Sequence, residues 1–552
     1  MKFKNTVFFL ILILAIAVRF AFLSDVPPSL NWDEISHGYN AYSILKTGED
    51  EWGVTLPAIF RAYGDYKLPV YIYTTVLSEF LFGLNAFAIR LPSLTAGVFT
   101  VLFTYLLAKK LFNRKVAIFS SLLAAIEPWG FFLSRGAFEA NLALTFIVSG
   151  SYFFLRGLEK AKHLVISAIL FGLSLWTYNS ARIFVPLFVL ILAVIYKGRL
   201  IIPAKKHKKN FVFCILIFAF FLVPMFYQLI SPAGQARYGK VSILDEGAIN
   251  KILDLRFKIN APWSIPRLIS NKVTYFAAVF TKNYFSHFSP EFMFFKGGTN
   301  YQFSFPNRGL IYFLNLPFFV LGLIYLIKNY KNKSCRLILI WLLLSPIASS
   351  LTREAPHVLR SIVMLPMPMV ATALGFSWVI KNKWITAGYI LALFLFLENY
   401  LTAYFTDYRI NYSWSWQYGY KEAVAFSKRN YEKYDKIIVT KKYGEPHEFF
   451  LYYLAWDPLK YRNDSNLIRF NKSDWYWVDR FDKFYFVNDW QVKKMVLESG
   501  GDVGCKTRPP DGQVSDIRCL LITSPGNYPP GWDKLETINF LNGNAAFEIY
   551  KN

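Results

Sequence analysis

The first chemically suggestive residues are two adjacent carboxylates. In the run Ser29-Leu-Asn-Trp-Asp-Glu-Ile-Ser-His-Gly-Tyr39, Asp33 and Glu34 stand just beyond a first apolar stretch. They precede a helical pattern with Ile35, Tyr39, Tyr42 and Leu45 on one face, ended by Gly48. Neighbouring carboxylates at a membrane surface suit a general base or a ligand to a divalent cation. The plainer alternative is a helix cap with a first-turn acid stabilised by the helix dipole.

Four further positions carry charge or imidazole in useful places. Lys67, in Gly64-Asp-Tyr-Lys-Leu-Pro69, opens a short aromatic helix at headgroup level, where an ammonium can hold a phosphate or simply snorkel. Arg135 and Glu139, in Ser134-Arg-Gly-Ala-Phe-Glu-Ala-Asn141, have the i, i+4 spacing of a mutual ion pair, yet charges at a span end are also candidates for function. His357 and Arg360, in Thr352-Arg-Glu-Ala-Pro-His-Val-Leu-Arg360, are expected on one face of a helical span, as a phosphate or diphosphate clamp. His287, in Tyr284-Phe-Ser-His-Phe, is a weaker candidate, since a lone loop histidine usually serves structure.

These residues must be positioned by elements in a membrane. The chain of 552 residues is 54% hydrophobic, 19% aromatic and 18% charged, against about 25% charge in soluble chains. Apolar runs such as Val7 to Leu23, Leu91 to Ala108 and Trp384 to Leu401 have the roughly 17–25 residues that cross a bilayer. The first follows Lys2 and Lys4 without a small-residue cleavage site and reads as a retained helix.

The net charge of +25 follows the topology. Lys109 to Lys115, Arg156 to Lys162, Lys197 to Lys209, Lys328 to Arg336 and Lys381 to Lys383 are short basic loops, hence cytoplasmic. No zinc-finger, RNP or phosphate-loop pattern is present, so no nucleic-acid partner is expected.

Pro69 to Gly83 is short for a span and carries Glu79. Laid in the outer interface, it brings every loop into agreement with about eleven spans, near residues 6–23, 91–109, 116–133, 141–156, 164–180, 182–196, 211–230, 310–327, 336–351, 358–380 and 384–403. The fold expected is therefore a polytopic α-helical membrane protein, its N-terminus cytoplasmic. A transmembrane domain, 1–403, carries a first outer loop at 24–90 and a long outer loop at 231–308.

The tail, 404–552, reads as a small outer α/β domain with strand-like runs at Lys436–Thr440, Phe449–Trp456, Phe484–Asn488, Leu520–Thr523 and Phe547–Tyr550. Cys505 and Cys519 fall in it as a candidate disulfide, on the oxidising side.

A Trp-Asp-Glu after the first span, a Lys-Leu-Pro opening an interfacial helix, an Arg-Leu-Pro-Ser second span and the Ser-Arg…Glu and Pro-His-Val-Leu-Arg segments together resemble the GT-C glycosyltransferases. The resemblance is to their bacterial protein mannosyltransferase and lipid A aminoarabinose transferase branch, over roughly residues 1–400. It implies sugar transfer from a polyprenyl-phosphate carrier to a hydroxyl acceptor at the outer leaflet. Asp33 matches the catalytic acid of the family's first loop, and Glu139 the acid of the second. Lys67 falls at the phosphate-contacting lysine, with Lys67-Leu68-Pro69 where the family usually has Lys-Pro-Pro or His-Pro-Pro. A divalent cation, magnesium or manganese, would fall to Asp33 and Glu139. The tail does not resemble the MIR domains of eukaryotic relatives.

The chemistry is coherent with that resemblance. A lipid-phosphate leaving group needs cations, here Lys67 with His357 and Arg360, and an acceptor hydroxyl needs a carboxylate base, here Asp33. The rival is a lipid-linked sugar flippase, which predicts polar residues along several spans and structural repeats. A non-catalytic assembly subunit would tolerate loss of Asp33.

Overall fold

Proline and glycine divide the apolar sequence into its helices. The computed structural model describes residues 3–472, 475–497, 505 and 517–552. They form a helical unit, Met1–Ala21 with Ser93–Leu401, and a sheet unit, Phe22–Pro92 with Thr402–Asn552. The first outer loop thus groups with the C-terminal tail, where the sequence reading had attached it to the transmembrane domain.

Every apolar run read as a span forms helix over most of its length. Among the described residues, six helices are long and apolar enough to cross a membrane: Ala86–Leu111, Asn179–Ile202, Lys208–Ile230, Lys333–Ser350, Ile362–Val379 and Lys383–Asn411. Arg114–Ile126 and Pro128–Ser134 make a seventh if taken together, bent by 52°. The bend is at Glu127, held extended (φ −66°, ψ 139°) by the proline after it. Thr6–Phe20, Lys162–Leu175 and Phe313–Lys328 are shorter apolar helices. The chain is a multi-pass membrane protein.

Two contacts brace the segment that carries His357. The buried Trp129 and Trp341 donate their indole N–H groups to Val358 O (3.2 Å) and Val363 O (2.7 Å). Behind it, Leu316–Lys328 and Met367–Val379 approach so closely that a Cβ on Gly322 would stand 1.9 Å from Ala371 O. Only glycine permits that spacing.

In the sheet unit, Phe60–Ala62 (β1) and Asp65–Lys67 (β2) form a hairpin with Phe60 opposite Lys67, turned through Tyr63-Gly64 with Gly64 at φ 77°. The main sheet contains Lys436–Thr440 (β3), Ile468–Lys472 (β4), Trp475–Phe481 (β5), Phe484–Val487 (β6), Cys519–Thr523 (β7), Asp533–Asn539 (β8) and Ala545–Lys551 (β9), in the order β4-β5-β6-β3-β7-β9-β8. Strand β3 pairs in parallel with β6 and β7, while the outer pairings are antiparallel. Its Ile437, Ile438 and Val439 are fully buried, as a central strand covered on both faces requires. Cys505 and Cys519 are joined in a disulfide.

One expected strand is not a strand. Within Phe449–Trp456 the chain is helical, in Pro446–Tyr453. Pro446 begins that helix, and continuous burial from Pro446 to Tyr452 removes the polar face that would reveal its period. Strands β4, β5 and β8 lie outside the expected runs. Their exposed faces interrupt the apolar pattern.

Candidate active site

Asp33 and Glu34 begin the helix Trp32–Thr47, and the cap separates their roles. Asn31 is the N-cap: its side chain accepts from Glu34 N–H (2.9 Å), and the Glu34 carboxylate accepts from Asn31 N–H (3.2 Å). Glu34 also takes the fork of Arg90, Nε to Oε1 at 2.9 Å and Nη2 to Oε2 at 3.0 Å, with both residues buried. Arg90 fastens the chain entering the helix by donating to Leu23 O (3.2 Å), Pro27 O (3.0 Å) and Ser29 O (2.5 Å). The sequence reading gave Arg90 no role. Its signal was a guanidinium at the head of an apolar span, a group that must find partners.

Asp33 is freed from capping by this arrangement. Its carboxylate is 47% exposed, and its Oδ1 accepts from Lys67 Nζ at 2.6 Å, with Lys67 only 9% exposed. The hairpin β1–β2 brings Lys67 there, just before Pro69 starts the next helix. An outward carboxylate beside a held ammonium can accept a proton and keep a cation at hand for an anion. Trp32 N–H donates to Gln417 Oε1 (2.7 Å), and Tyr63 OH to Trp32 O (2.9 Å), which ties the helix start to the rest of the unit.

A buried acidic cluster, with no sequence pattern to announce it, lies farther along the same helix. Asn40 donates to Glu51 (3.4 Å), and Tyr476 OH lies 3.3 Å from Glu51 Oε1 and 3.2 Å from Glu448 Oε1. Burial holds Glu51 and Glu448 above the ordinary carboxyl range, and the Glu51 carboxylate raises Glu448 further. Burial also pushes Glu445 up to about 7, and holds His447 well below the usual imidazole value.

In the helical unit, His287 is fully buried. Its Nδ1 lies 2.7 Å from Asn283 O, its Nε2 lies 2.8 Å from Ser349 Oγ, and Nε2 accepts from His357 N–H at 3.3 Å. Nδ1 therefore carries the proton, and burial lowers the ring to about 4. His287, a candidate for substrate binding, is buried here and pins the His357 segment.

His357 lines a cavity of about 460 Å³ with Asn300, Phe303, Arg353 and Glu354. The expected placement of His357 and Arg360 on one helical face is corrected here. His357 lies in irregular chain and Arg360 in a turn, both before a short 3-10 turn, Ile362–Met364, and the helix begins only at Met367. Pro356, Pro366 and Pro368 prevent an earlier start. Arg360 donates to Thr352 Oγ1 (2.9 Å) and Glu354 Oε2 (3.1 Å), while its own N–H meets His357 Nδ1 (3.3 Å).

Arg135 is fully buried and donates to Val18 O (3.2 Å) and Arg19 O (2.7 Å), closing the end of the first helix. Glu139 is the first residue of Glu139–Gly157, where the helix dipole favours a carboxylate.

Among the described residues no group of three or more His, Cys, Asp or Glu is arranged to hold a metal ion. Asp33 already has an ammonium as its cation, so no step is derived through a metal.

Residues 67–227 match the family model described as dolichyl-phosphate-mannose-protein mannosyltransferase. No curated protein matches the sequence. The fold is similar to crystal structures of ArnT from Cupriavidus metallidurans. The apo form aligns with TM-score 0.53 at 12% identity, covering 99% of this chain and 97% of that one. The form bound to undecaprenyl phosphate aligns with TM-score 0.55 at 11% identity, covering 99% and 98%. The chain therefore shares the fold of these ArnT structures, and within it residues 67–227 are similar to the dolichyl-phosphate-mannose-protein mannosyltransferase family.

Proposed function

We propose that this chain transfers a sugar from a polyprenyl-phosphate carrier to a hydroxyl acceptor at the outer face of the membrane, with Asp33 as the general base. The observation that carries the reading is the Asp33–Lys67 pair at 2.6 Å, one carboxylate oxygen engaged and the group half-exposed. The acceptor hydroxyl gives its proton to Asp33 as its oxygen bonds to the anomeric carbon. The bond from that carbon to the phosphate oxygen breaks, and its electron pair leaves with the lipid phosphate. Direct displacement inverts the anomeric centre.

Lys67, an ammonium just before the helix that Pro69 begins, is assigned to the phosphate. In the helical unit, the cavity beside His357 is assigned to an anionic or polar part of a substrate, with Arg360 holding its wall through Glu354. Glu139 is assigned to orienting a hydroxyl. The eleven-span topology, with the C-terminal sheet outside, belongs to the same proposal. A carrier phosphate bound to ArnT and the lipid-phosphate donor named in the matching family support the choice of donor.

The test is a panel of radiolabelled polyprenyl-phosphate hexoses and pentoses offered to membranes with and without the protein. Protein-dependent loss of label from at least one carrier is expected. A panel left intact throughout would overturn the reading.

A further inference from the structure

Strands β4, β5 and β6 leave open a trough of about 470 Å³, within the roughly 300–1,000 Å³ range of small-molecule sites. It lies within the sheet unit. The register puts Phe470 opposite Trp477, and alternation along β5 turns Asp479 to the same side. Phe470 is 41% exposed, and Trp490, beyond β6, is 72% exposed. Aromatic faces of this size are rarely left to water without a use.

Polar groups lie between the rings. Asp479 is half-exposed and paired with Lys441, whose ammonium lies 5.1 Å from the Trp477 ring centre. Asn488 donates to Gln491 Oε1 at 2.7 Å, so each amide keeps unused donor and acceptor capacity. The lining holds three cations, Lys441, Lys472 and Arg480, against the single carboxylate of Asp479.

We infer that this trough binds a saccharide chain bearing acidic groups. A sugar ring has apolar C–H faces that stack on indole and phenyl rings. Its edge of hydroxyls needs planar acceptors and donors: the Asp479 carboxylate accepts, and the Asn488 and Gln491 amides do both. The surplus of cations selects acidic substituents. An acyl chain would have to bury the Lys441–Asp479 pair and is disfavoured. The site is separate from the transfer chemistry, and stands whether or not Asp33 is the base.

The experiment is calorimetric titration of the full chain in lipid nanodiscs with oligogalacturonides, and with malto-oligosaccharides of equal length. The acidic probe is expected to bind, with about tenfold weaker binding in Trp490→Ala and in Lys472→Glu, and similarly weaker binding of the neutral probe. Both substituted residues are exposed, so an unchanged melting temperature verifies folding. Absence of heat at millimolar acidic probe, equal affinity for the neutral one, or variants that bind as wild type would overturn the inference.

Discussion

Asp33 and Glu34 are neighbours in sequence with opposite fates. Glu34 closes a capping box and is clamped by Arg90, while Asp33 stays half-exposed against Lys67. Replacing Lys67 with Met removes a charge-assisted hydrogen bond, of the order of 1.5–3 kcal/mol. The expected result is a KM for the lipid-linked donor raised about tenfold or more, read from initial rates. Arg90→Ala strips the partner from a buried carboxylate, and breaking such a pair costs about 3–5 kcal/mol. A lowered melting temperature and loss of folded protein should follow, whereas the Lys67 variant, whose partner Asp33 is half-exposed and open to water, should lose less. The sequence pattern made Asp33 and Lys67 legible as candidates because one stands just beyond an apolar run and the other just before one. It left Arg90 unassigned, since its partners lie on segments distant in sequence and only the folded chain brings them to it.

At the scale of elements, two buried sets of titrating groups give opposite pH responses. His287 sits near 4 where an ordinary imidazole sits at 6.5. The unfolded chain therefore binds more protons between those values. The contribution of His287 to stability is complete above pH 6.5 and falls at up to about 1.4 kcal/mol per pH unit on acidification toward 4. His287→Gln should flatten that slope in melting curves of the full chain. Glu445 behaves in reverse. Raised from 4.5 to about 7, it stabilises most below pH 4.5 and loses that contribution as the pH rises through 7. Glu445→Gln should remove part of the alkaline decline. Neither device was legible in sequence. The helix Pro446–Tyr453 read as a strand because all its faces are buried, and the His357 segment read as helix because three prolines in an apolar run were outweighed by hydrophobicity.

For the whole molecule, the alternation of apolar runs with basic loops announced the membrane fold, and each run is helical over most of its length. The number of crossings was less legible, since among the described residues six helices have full spanning length and others are short or bent. Orientation follows from the count. The proposed topology of about eleven crossings would put the two ends on opposite sides, whereas an even number would return them to the same side. A fluorescent protein that matures only in the cytoplasm should shine when fused to the N-terminus and stay dark at the C-terminus, where alkaline phosphatase should be active. Both ends reporting the same side would reject the topology.

The central claim, that Asp33 takes the acceptor's proton, is tested most directly by the rate at which label leaves a polyprenyl-phosphate sugar in Asp33→Asn at matched expression. Losing a positioned general base typically costs about 10²–10⁴-fold, so the account predicts at least a hundredfold fall with the melting temperature retained. A folded Asp33→Asn that transfers sugar at the wild-type rate would contradict it.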